Sequence, residues 1–235
     1  SMVSLGTWLK QLKVDQEMQA TSLPELMRHF PAWGAMNRDR AAAFCSALEH
    51  FGVGMEPDVR WGGPSPSESA PVVLFNIPSE ERGKKPTAVY SAAALTMHLA
   101  AAVAAADGIT VEEEQYLEQR LEQVLHLQTH ERLRLRAQMK WLLLSTPSLT
   151  SMKKRVADLD ASQREAIGAF VVDVAQSQGG LAPAEMKALT KIYRLLDIPE
   201  ERLYSTAHAA ATEPVTVQTE GAPAIKFGIP KPLVP

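Results

Sequence analysis

The chain has 235 residues, 46% of them hydrophobic and 22% charged, with a formal net charge of −3. This balance suits one large or two small globular domains, and it excludes a disordered chain and a strongly basic nucleic-acid binder. A single cysteine, Cys45, excludes an intrachain disulfide and a cysteine-ligated zinc site.

Leu5, Trp8, Leu9 and Leu12 share one face of a helix opening at Ser4. Ser22-Leu23-Pro24-Glu25 is a capping box with proline in the first turn. Asn37 caps a helix through Phe44, Leu48 and Phe51, ended by Gly52 or Gly54. Residues 1–54 therefore read as a helical region. Residues 55–86, with Pro57, Gly62, Gly63, Pro64 and Pro66, read as a linker or ordered loop. Val72-Val73-Leu74-Phe75 is the one good strand candidate; with no clear partner strand, it is expected to pack extended against helices.

From Thr87 the apolar spacing is three to four throughout. It predicts helices at 87–106, 111–126, 130–145, 148–158, 161–177, 183–196 and 199–210. Asp160 with Gln163 forms a capping box, and Ser148 caps the helix carrying Met152 and Val156. The stretch 88–106 has no formally charged residue, yet its alanines, interrupted by Ser91, Thr96 and His98, suit a central buried helix rather than a membrane span. The expected fold class is all-α: a compact helical bundle at 87–210, followed by a proline-rich tail at 211–235 that serves as a linker or an arm toward a partner.

A shift of 71 residues aligns two segments without a gap. Val103 to Gly108 meets Val174 to Gly179, Glu114 meets Glu185, and Leu121, Val124, Leu125 and Leu127 meet Ile192, Leu195, Leu196 and Ile198. Each copy reads as a helical hairpin whose glycine, Gly108 or Gly179, takes a left-handed position in the turn. Ala-Asp-Gly, with Glu at the seventh position after the Asp, duplicated in this way, resembles the TerB-like domain of tellurite-resistance and stress-response proteins. The likeness covers about residues 88–210 and is greatest to the C-terminal TerB module of larger multidomain bacterial proteins. Phe51 to Asp58 and Trp61-Gly62-Gly63-Pro64 resemble the segment that precedes that module.

The resemblance implies a non-enzymatic module of a bacterial stress-response or defence system, cytoplasmic or membrane-associated through partners. It further implies a divalent-metal site at the acidic turn, with Asp107, Glu113 and Glu114 as oxygen ligands for Ca2+ or Mg2+, and a scaffold for other proteins or further domains of the same polypeptide. The second copy is degenerate, with Gln178 in place of Asp, followed by Glu185. A second reading of the acidic turn is plain helix capping, Thr110 with Glu113, aided by three glutamates at the positive end of the helix dipole. Arg132, Arg136, Lys140, Lys153, Lys154 and Arg155, with Arg134 among them, read either as a basic patch for nucleic acid or anionic lipid or as a solvated face with internal ion pairs. The alternatives to a metal-binding module are a metal-free structural adaptor and an accessory domain of a nucleic-acid-processing assembly. His126 and His130 flank a helix break and read as surface or capping residues, His98 as a hydrogen-bonded core residue, and Asp173 as a partner for an arginine or for the second turn. No nucleophile elbow, Walker loop or HExxH helix is present.

Overall fold

Val72 to Phe75 lies at the centre of a small sheet, not alone. In the computed structural model, which describes residues 7, 18–30, 33–106, 108–123, 127–145, 148–177 and 179–212, strand β3 (Pro71–Asn76) pairs antiparallel with β1 (Met18–Ser22) on one side and β2 (Val53–Glu56) on the other. The backbone alone is described for residues 112, 113, 121, 122 and 209–212. β3 is buried on both faces, so it reads as a continuous apolar run without alternation. Val72 and Leu74 join a small core with helices α1 (Leu23–Met27) and α2 (Arg38–His50), while Val73 and Phe75 face the main helical core. Gly54 lies opposite Phe75 in the register, and a Cβ there would sit 2.3 Å from the Phe75 ring. The glycine is what lets β2 lie against that ring.

Side-chain caps set the first helices. Ser22 accepts from the Glu25 N–H at 3.3 Å, and Asn37 from the Arg40 N–H at 2.9 Å. The segment 55–86 is ordered around β3, and its Trp61 and Ile77 belong to the main core. The helix expected from Ser4, Leu125, His126 and residues 213–235 lie outside the described residues, as does the side chain of Leu121.

The bundle comprises α3 (Ala88–Ala104), α4 (Val111–Glu122), α5 (Thr129–Leu144), α6 (Lys153–Ala157), α7 (Ala161–Gln176), α8 (Pro183–Leu195) and α9 (Glu200–Thr212). The chain is mostly helical, with the sheet as a minor addition. α3 is the central helix and packs against α5, α7 and α8; α5 also lies across β2 and β3. Leu189, Ile192 and Leu196 are fully buried in this core. Asp160 and Gln163 form their capping box at the start of α7. Ser148 does not cap with its side chain as expected: its carbonyl accepts from the Ser151 hydroxyl at 3.0 Å, ahead of a short 3-10 turn at Thr150–Met152.

Gly108 (φ 99°) and Gly179 (φ 121°) occupy the turns between α3 and α4 and between α7 and α8. α4 packs against α7, and α8 against α3, so the second helix of each hairpin contacts the first helix of the other. The two second helices start one residue out of step with the 71-residue offset. The first helical carbonyl acceptor is Thr110 in α4, bonded by the Glu114 N–H, and Ala182 in α8, bonded by the Met186 N–H.

Candidate functional site

The acidic turn is only partly described: Asp107, Gln178 and the side chain of Glu113 lie outside the described residues. Glu114 is exposed at the start of α4. Its sequence equivalent, Glu185, is 5% exposed, and its carboxylate accepts from the Ala182 N–H at 2.7 Å, the capping-box position. Because of the one-residue offset, that capping position corresponds to Glu113 in α4, not Glu114. Among the described residues no three His, Cys, Asp or Glu side chains converge as a metal would require.

The basic residues separate into several environments. Arg132, Arg136 and Lys140 follow one another at four-residue spacing along α5. Arg132 donates to the Leu127 carbonyl at 3.2 Å, and Lys140 reaches the Met18 carbonyl of β1 at 3.2 Å. Lys153 and Lys154 are exposed on α6, while Arg155 turns inward and donates to the Ser91 carbonyl of α3 at 2.9 Å. Arg134 is an internal ion-pair residue, 2% exposed.

Arg134 marks a buried charged seam between the sheet unit and the bundle. Its Nη1 lies 3.0 Å from Glu56 Oε1 and 3.1 Å from Asp58 Oδ2, and its guanidinium lies 4.4 Å from the Trp61 ring centroid and 5.1 Å from that of Phe75. Arg60 grips Asp58 from the other side through Nε and Nη2, and its Nη1 reaches Glu49 at 2.7 Å and the Ser46 hydroxyl at 3.0 Å. Asp58 is placed by its own turn, accepting from the Arg60 N–H at 2.9 Å. Three carboxylates thus face two guanidiniums. Burial pushes Glu56 up to about 7, Asp58 adds to the rise and Arg134 opposes it. The charges balance when Glu56 holds a proton. Burial works against the Arg60 charge, but hydrogen bonds and attraction from Asp58 and Glu49 outweigh it. Burial also pushes the Cys45 thiol up, as suits a small core side chain.

His130 is buried rather than on the surface. Its Nδ1 lies 2.7 Å from Glu81 Oε2, and its ring meets Trp61 edge-on at 5.9 Å. His98 is a core histidine as expected. One ring nitrogen bonds the Ser148 backbone, Nε2 has no partner among the described residues, and burial pushes its pKa down to about 4.

The second feature is an open apolar groove of about 520 Å³ between α3 and α7. Val89, Ala92, Ala93 and Thr96 line one wall at helical spacing, and Gln163, Ala166 and Phe170 line the other. Among the described residues, Arg120 of α4 is its one charged lining residue. Arg120 is held in place by Asp173 at 3.3 Å and by the Phe170 ring at 5.4 Å, and Tyr116 donates its hydroxyl hydrogen to the same carboxylate. Burial, then Asp173, pushes Tyr116 up to about 12.

All of the groove's lining but Ala88 and Val89 lies in the segment that a family comparison singles out: residues 91–207 match the family model for Tellurite resistance protein TerB. This segment is a TerB-family domain. The resemblance read from the duplicated turns therefore holds, and the domain is a tellurite-resistance-type module. No curated protein and no solved structure matches the chain. Among the described residues, no helix is long and apolar enough to cross a membrane. The seam's Glu49, Glu56, Asp58 and Arg60 precede the matched TerB segment, and only Arg134 of the seam lies within it. No simple sequence pattern announces these four. One usable signal was phase: Arg134 shares an α5 face with Gln138 and Trp141, both buried.

Proposed function

We propose that this chain is a non-enzymatic binding module of a bacterial stress-response system, whose TerB domain holds an amphipathic helix of a partner protein in the α3–α7 groove. The supporting observation is the groove itself. Val89, Ala92 and Ala93 at i, i+3 and i+4 on α3, with Thr96 at i+7, and Ala166 and Phe170 on α7 line an open channel at the edge of the main core. The lining on α3 from Ala88 to Met97 is about 14 Å of helix, two to three turns, a usual length for helix-in-groove recognition. The alanines allow close backbone approach, and Arg120 offers a charge at the margin for an acidic residue of the partner. Glu56, Cys45 and His98, whose proton affinity burial shifts, are core groups, and Tyr116, shifted as well, is bonded to Asp173 beside Arg120. Partners are other proteins of a larger cytoplasmic assembly or further domains of the same polypeptide.

The test is quantitative co-purification from host cells. Ala166 is exposed within the groove, so Ala166→Arg leaves the core untouched while placing a charge and bulk in the channel. It should deplete a partner that wild type and Lys187→Ala, on exposed α8 surface, both retain. Equal recovery by all three proteins would refute the groove reading.

A second reading, Ca2+ or Mg2+ binding by Asp107, Glu113 and Glu114, draws on the three successive glutamates that open α4. A melting temperature raised by either ion, and raised less in Asp107→Asn, would support it.

A further inference from the structure

A cleft of about 540 Å³ opens beside the charged seam, away from the α3–α7 groove, and Ser46, Arg60, Trp61, Gly83, Lys84 and Lys85 line it. We propose that this cleft is a binding site for a phosphate-bearing ligand. Among the described residues its charged lining is all cationic, and it comes from two separate parts of the chain. Arg60 arrives from the turn after β2 and is fixed before any ligand enters, because Asp58 and Glu49 hold its guanidinium at 2.6 and 2.7 Å. Such pre-orientation removes part of the ordering cost of binding. Ser46, on α2, donates its hydroxyl hydrogen to the Ala42 carbonyl at 3.0 Å and accepts from Arg60 Nη1, a third contact that holds the guanidinium.

Lys84 and Lys85 arrive from the loop before α3. Lys84 is paired with Glu81, whereas Lys85 is exposed and makes no ion pair or hydrogen bond among the described residues. Gly83, with φ 72°, turns that loop, and nothing lies within 4 Å of where its Cβ would be. Arg60 keeps one Nη2 hydrogen beyond those given to Asp58, Glu49 and Ser46, and with the uncommitted Lys85 ammonium it offers donors for phosphate oxygens around an open space. The volume exceeds one phosphate group and falls in the range of small-molecule pockets, so the phosphate is part of a larger molecule. The same donors fit a soluble phosphorylated compound or a phospholipid headgroup. The cleft lies outside residues 91–207, so it is a property of this chain's preceding unit and not of the TerB domain.

Calorimetry with pyrophosphate tests the site, using wild type, Lys85→Met and Lys153→Ala/Lys154→Ala. Lys85→Met keeps the Lys84–Glu81 pair, and the double variant removes two exposed charges on α6. Pyrophosphate should bind one site per chain, and Lys85→Met should weaken it by about tenfold to a hundredfold, the usual loss of one charge-assisted bond. The α6 variant should bind as wild type does. A parallel arm measures sedimentation with vesicles of phosphatidylcholine, with and without phosphatidic acid. Lys85-dependent binding to the phosphatidic acid vesicles alone would assign the headgroup, and binding of pyrophosphate alone a soluble ligand. No binding in either arm, or equal weakening by both variants, would overturn the proposal. So would binding of single-stranded RNA lost equally in both variants, with no pyrophosphate binding.

Discussion

Glu56→Gln is the sharpest perturbation of the buried seam, because it acts through pH. An unfolded glutamate titrates at ~4.3. Folded, Glu56 titrates at about 7, its carboxyl buried between Arg134 and the Asp58 N–H. Between those values the native protein holds a proton that the unfolded chain has released. Stability from Glu56 is therefore fully present below pH ~4 and falls as pH rises through 7, by on the order of 3 kcal/mol in total. Glutamine has no proton to lose, so its stability lacks this slope. His98 works in the opposite sense. Its folded value of about 4 lies below that of the unfolded chain, so its contribution is present above pH ~6.5 and is lost as pH falls toward 4. Both proteins carry His98, so its effect cancels in their difference. Urea denaturation of the two proteins from pH 5 to 8 measures that difference. It should shift by roughly 2–3 kcal/mol in favour of Glu56→Gln as pH rises, most of it before pH 7.5. Parallel curves, with a difference independent of pH, would refute a protonated Glu56 in the seam.

Two further substitutions test the packing around it. Arg134→Met leaves Glu56 and Asp58 buried with only Arg60 nearby and should cost about 3–5 kcal/mol by denaturation, as for other broken buried pairs; an unchanged midpoint would show the pair is inert. Gly54→Ala places a methyl group against the Phe75 ring and should cost about 1–3 kcal/mol, with part recovered by adding Phe75→Leu; a neutral effect would mean the β2–β3 register is wrong.

The helices were legible because each carries its own local signals. Ser22, Asn37 and Asp160 bond the N–H groups their types predict, and α3, α7 and α8 begin and end within two residues of their apolar periods. The glycine turns were legible because positive φ selects so few residue types. The sheet was not. β1, Met-Gln-Ala-Thr-Ser, has no alternation, since most of its residues are half-buried on both sides. β2, Val-Gly-Met-Glu, carries a glycine and a glutamate that usually mark a loop, and here the glycine makes room for an aromatic ring and the glutamate enters the seam. The seam itself was hidden for the same reason. Glu49, Asp58, Arg60 and Arg134 are residue types that normally face water. Their burial depends on partners up to 78 positions apart, which no local pattern records.

The most direct measurement of the groove's role is site-specific photocrosslinking in host cells, with the reactive residue placed at Ala166 in one protein and at Lys187 in another. If the α3–α7 groove holds a partner helix, Ala166 should crosslink one protein, at an amphipathic segment with its apolar face toward α7, and Lys187 should not capture that segment. Identical products from both positions, or none from Ala166 while the protein is bound to its partners, would contradict it.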